Sequence, residues 1–69
     1  MAAIEPGRVC YKTRGREAGK KVVVLELQNL YATVVGKGGK KEKCNIRHLF
    51  PLKEKIDVNV PVEEIIKKL

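Results

Sequence analysis

The stretch Gly7 to Leu27, GRVCYKTRGREAGKKVVVLEL, decides how this chain folds. Its first part, Gly7 to Thr13, alternates. Val9, Tyr11 and Thr13 fall on one face and Arg8, Cys10 and Lys12 on the other, which is the period of a β-strand. Arg14 to Lys20 then reads as a turn. It holds Gly15 and Gly19, the residue type that enters positive φ at least cost. Lys21 to Leu27 is a run of aliphatic, mostly β-branched residues. It is apolar on both faces, as suits a strand curled inside a small barrel. Arg14, Arg16, Lys20 and Lys21 crowd the turn, with Glu17 alone to oppose them. A turn that only had to close a hairpin would have no use for that charge.

Outward from the hairpin, the elements stay short. Pro6-Gly7 is a turn signal that starts the first strand. Gln28-Asn29 makes a brief turn, and Leu30 to Val35 is a third strand, too β-branched for helix. Gly36 to Lys41, GKGGKK, is a loop, expected to move when the protein is alone, because three glycines in four residues are costly to order. Lys43 to Ile46 is a fourth strand, Arg47 to Leu49 a 3-10 turn, and Phe50-Pro51 ends that turn. Leu52 to Ile56 is a fifth strand. The fold class is therefore all-β: a small SH3-like barrel of about five strands over residues 1–58, followed by a short C-terminal helix within 59–69. The helix, Val60 to Leu69, accepts Pro61 in its first turn. Val62, Ile65, Ile66 and Leu69 form one apolar stripe, to be docked on the barrel or on a neighbouring protein. Val9, Val23, Leu25, Val34 and Ile46 are the expected core.

Gly7-Arg8-Val9, then Gly15, then Ala18-Gly19-Lys20 and an aliphatic strand resemble a KOW motif, the strand–loop–strand unit of ribosomal proteins and transcription elongation factors. AIEPGRVCYKTRGREAGKKVVVLE, from Ala3, followed downstream by CNIRHLFPLKEKIDV, ending at Val58, is similar to the archaeal–eukaryotic family of the fourteenth large-subunit ribosomal protein. The resemblance implies a structural constituent of the large ribosomal subunit, located in the cytoplasm. Its implied partners are ribosomal RNA and neighbouring ribosomal proteins. A KOW module of a transcription or translation factor, binding RNA transiently, is the alternative.

Charge supports a polyanionic partner independently. The net charge is +7, and all of the excess lies in residues 1–47, which carry eleven Lys and Arg against four Glu. Residues 48–69 are balanced. Such asymmetry points to a polyanion held by one part of the fold. The candidate RNA-binding residues are Lys12, Arg14, Gly15, Arg16, Lys20 and Lys21 around the first loop, and Lys37, Lys40, Lys41 and Lys43 around the second. Arg47 and His48 follow in the 3-10 turn. Arginine offers bidentate contacts to phosphate and lysine a point charge. Glycine lets backbone N–H groups come close to a phosphate. Tyr11, Tyr31 and Phe50 are the only aromatics. That favours folded RNA, read by backbone and shape, over a base-stacking platform. It also argues against a peptide-binding SH3 module, which needs an aromatic groove.

Other chemistries find little footing. The chain has no Ser, and its one histidine, His48, follows an arginine. No enzyme is expected, and no cofactor. Cys10 and Cys44 have no metal-ligand spacing, so no metal is expected either. In an intracellular chain they are reduced and partly buried on paired strands. A disulfide is the minor alternative. GKGGKK lacks the phosphate-loop pattern and precedes a strand. No apolar run reaches membrane-spanning length, and no secretory leader pattern opens the sequence, so neither a membrane nor a small-molecule substrate is expected.

Overall fold

The computed structural model describes residues 4–15 and 18–69. Five strands, β1 Arg8–Lys12, β2 Lys21–Gln28, β3 Tyr31–Gly36, β4 Lys41–Asn45 and β5 Leu49–Lys55, form one antiparallel sheet in the order β4-β3-β2-β1-β5. The two edges of that sheet are consecutive in the chain. Only a 3-10 turn, Ile46–His48, separates them, so the sheet curls round on itself. Backbone bonds tie that turn to the strands on both sides: Ile46 N–H donates to Leu30 O at 3.0 Å and Thr13 N–H to His48 O at 2.9 Å.

Curling gives the sheet two buried faces. Inside the barrel, Cys10, Val22, Val24, Ala32, Val34, Cys44 and Leu49 pack together. On the opposite face, Val9, Val23, Val35 and Ile56 pack under Ile65 of the helix α1, Val62–Lys67. Ile65 is 1% exposed, so the helix stripe is seated on the chain's own sheet. This explains why β2 is apolar on successive residues. Val22 and Val24 face inward, Val23 and Leu25 face the helix side.

Several expectations shift. Leu25 is half-buried because β2 bulges there: Val24 pairs with Val34 and Glu26 with Thr33, leaving Leu25 as the extra residue. The bulge also turns Leu27 back toward the interior. Ile46 is half-buried because it opens the 3-10 turn rather than continuing β4. Leu30 lies in the hairpin turn, exposed, beside Asn29 in the left-handed region at φ 51°. β5 begins at Leu49, and Phe50 and Pro51 are strand residues paired with Tyr11 and Cys10. Proline is tolerated there because β5 is an edge strand, where a missing N–H interrupts no second ladder. The helix runs over Val62–Lys67 rather than from Val60 to Leu69, with Pro61 as its cap.

Gly7 links β2 to the end of β5 across the start of β1. Its N–H donates to Val24 O and its O accepts from Ile56 N–H, both at 2.7 Å. Its φ is +92°, and a Cβ there would collide with Ile56 O. Glu5 adds an outer clasp, bound to Lys55 at 2.7 Å and Arg8 at 3.1 Å. The hydrogen bond from Lys55 lowers the Glu5 pKa below its ordinary value. Arg8 is thereby a fastening of the fold, donating also to Leu52 O and Lys53 O at 3.2 Å.

Candidate nucleic-acid interface

The two basic loops leave the barrel at the same end. Val22, just after the first loop, pairs with Gly36, just before the second. The first loop is pinched at its base by Gly19 N–H to Lys12 O, 2.7 Å, and Lys12 N–H to Lys20 O, 3.1 Å. Gly15 and Gly19 take φ of +86° and +87°, and a Cβ on either would meet nothing within 4 Å. Their conformation serves the turn alone. The second loop is closed by Gly39 N–H to Gly36 O at 2.9 Å. Gly39 has φ +80°, and its missing Cβ would sit 3.1 Å from Ile66 Cδ1. The glycine loop therefore rests on the helix, a support its composition did not suggest.

Between the loops lies a cleft of about 540 Å³. Lys12, Lys20, Lys21, Lys37 and Lys40 ring it, and Val22, Val34 and Leu69 supply apolar lining. A second cleft, about 490 Å³, is lined by Arg14, Gly15, Tyr31, Lys43, Asn45 and His48. Lys12 borders both. Its side chain is only 13% exposed, and its ammonium lies 3.1 Å from Glu42 Oε2. Lys12 is thus already paired, a wall between the clefts. Lys21 lies 3.8 Å from Glu54, and Lys43 stands over the Tyr31 ring at 5.9 Å. Lys41 and Arg47 are exposed but line neither cleft. Arg47 N–H donates to Asn45 Oδ1 at 2.9 Å, which caps the 3-10 turn. Arg16 lies outside the described residues.

Sequence reasoning missed Glu42, Tyr31 and Leu69 as cleft residues. Glu42 carries no local signal, since its partner is thirty positions away. Tyr31 carries none either, because its place diagonal to Lys43 is set by the β3–β4 register.

The comparisons converge on one assignment. The chain is 47% identical over 58 residues to the large ribosomal subunit protein eL14 of Methanococcus maripaludis, covering 84% of this chain and 75% of the relative. The chain belongs to the eL14 family of large ribosomal subunit proteins. The eL14 protein of Sulfolobus acidocaldarius is 44% identical over 64 residues, covering 86% of this chain and 67% of the relative. That of Saccharolobus solfataricus is 42% identical over 76 aligned positions, covering 100% and 79%. No family model matches the chain.

The cysteines of this eL14 chain are free and buried. They lie on β1 and β4, which are not neighbours in the sheet, yet they meet inside the barrel. That corrects the expectation of paired strands. Burial pushes the Cys10 thiol up to about 11 and raises Cys44 as well. Both are core residues, not reactive groups. Among the described residues, no three His, Cys, Asp or Glu side chains converge as a metal site. No helix among them is long and apolar enough to cross a membrane.

Proposed function

We propose that this eL14-family chain is a structural constituent of the large ribosomal subunit, fixed to ribosomal RNA by the basic end of its barrel and without enzymatic activity. Neighbouring ribosomal proteins and RNA are its partners, and the cytoplasmic ribosome is its location. The observation that carries the reading is the convergence of both basic loops on two adjoining clefts. Arg14, Lys37 and Lys40 supply charge for phosphates, while Lys12 and Lys21 are partly neutralised by Glu42 and Glu54. Phosphate contacts of this kind release counterions, so log affinity for large-subunit RNA fragments falls steeply with log salt. A flat salt dependence would overturn the reading. Arg14→Ala is expected to leave the fold within about 0.5 kcal/mol of the parent and to reduce the salt slope by about one. Co-sedimentation with large subunits in high salt separates a resident protein, which stays, from a transient factor, which washes off.

A further inference from the structure

The two clefts differ in what they are built to hold. The second is walled by polar groups, and its aromatic ring already faces a lysine. It suits phosphates. The first is a slot floored by the buried Val22 and Val34 and flanked by Leu69, with ammonium groups and the Glu42 carboxylate around it. A bare phosphate gains nothing from aliphatic side chains. At about 540 Å³, the slot falls within the roughly 300–1,000 Å³ of small-ligand sites. Lysine stems extend such an apolar wall while their heads remain at the rim.

We propose that this slot takes one unpaired nucleotide of the bound RNA, with its base against the aliphatic wall and its phosphate at Lys37 and Lys40. The inference rests on the RNA-binding reading above and deepens it. The scarcity of aromatic residues fits a single nucleotide rather than a run of stacked bases. In a folded RNA a bulged base has no pairing partner, so seating it costs less than extruding a paired one. Lys37 and Lys40 have no carboxylate partner among the described residues. Their charge is uncommitted where the phosphate would arrive. Gly38 lines the same slot, and a Cβ there would meet nothing within 4 Å. Its backbone accepts a side chain without strain.

The test uses two RNA hairpins with the same stem, one fully paired and one carrying a single bulged 2-aminopurine. The intact protein is expected to bind the bulged hairpin about fivefold tighter at equal salt, the effect of burying roughly 40 Å² of apolar surface. The 2-aminopurine fluorescence is expected to change on binding. Gly38→Leu is expected to erase the preference for the bulged hairpin. A preference that survives in folded Gly38→Leu overturns the placement. Equal, salt-sensitive binding of both hairpins by the parent overturns the nucleotide slot and leaves phosphate binding standing. Salt-insensitive binding, or none, overturns both. A further readout needs no variant: the methyl resonances of Val22, Val34 and Leu69 should shift with the bulged hairpin and not with the paired one. Their silence with the bulged hairpin overturns the inference.

Discussion

β1 is bounded by a left-handed glycine at each end, and the two ends have opposite physics. At the Gly7 end, the backbone is enclosed: Val24 and Ile56 bind it, and no Cβ fits beside Ile56 O. At the Gly15 end, the same conformation stands in open space among cations. A positive φ alone therefore does not say what a glycine is for. Its surroundings do. One end closes the fold, and the other leaves a loop free to meet a partner.

The sharpest way to break this contrast is Gly7→Ala. It combines left-handed strain with a collision against backbone that cannot rotate away. Stability is expected to fall by on the order of 3 kcal/mol or more, a large part of what a domain this size has. Chemical denaturation measures it, and a variant as stable as the parent would dissolve the distinction. Ile65→Ala comes next, at about 2–4 kcal/mol, because it hollows the seat of the helix. Leu25→Ala, at the half-buried bulge, is expected to cost about 1 kcal/mol. Reversed magnitudes in the two melts would mean that the helix is not what covers that face.

Gly15→Val carries strain without collision, roughly 1–2 kcal/mol. It also re-aims Arg14, so RNA affinity should drop alongside the melting temperature. An unchanged affinity would detach the turn from binding. The smallest effect concerns pH. Cys10 titrates at about 11 when folded, against 9.0 ordinarily. Its thiol favours the folded state fully below pH 9.0, and that contribution fades as pH rises toward about 11. A stability profile flat across that window would mean that the interior admits water near Cys10.

Much of this was legible in the chain. Alternation in β1, the doubly apolar β2 and the i, i+3, i+4, i+7 stripe of the helix are local patterns, and local patterns are what sequence displays. The basic loops were visible as charge between glycines. Other features depend on partners far along the chain. Gly7 reads as an ordinary turn glycine until Ile56 is brought beside it. The bulge at Leu25 needs the register of β3. Pro51 reads as a strand breaker until β5 is found at an edge. Lys12 looks like one more free cation until Glu42 pairs with it. In the site, the sequence displayed which residues were charged, and the fold decided which were already spoken for.

The stitch between Gly7 and Ile56 also sets an order of events. β1 to β4 form a meander in which each strand meets its predecessor across a short connection. Those pairings close small loops and can form as the chain emerges during synthesis. β5 is different. It must return to the first strand, across about forty residues, and Gly7 cannot be clasped until Ile56 has been made. The last strand is the one that converts a ribbon into a barrel. Before it arrives, β1 exposes one edge and the valines of both sheet faces have no cover. A nascent chain halted short of Ile56 is therefore an open, adhesive ribbon, and the pairing of β5 with β1 is what covers that edge.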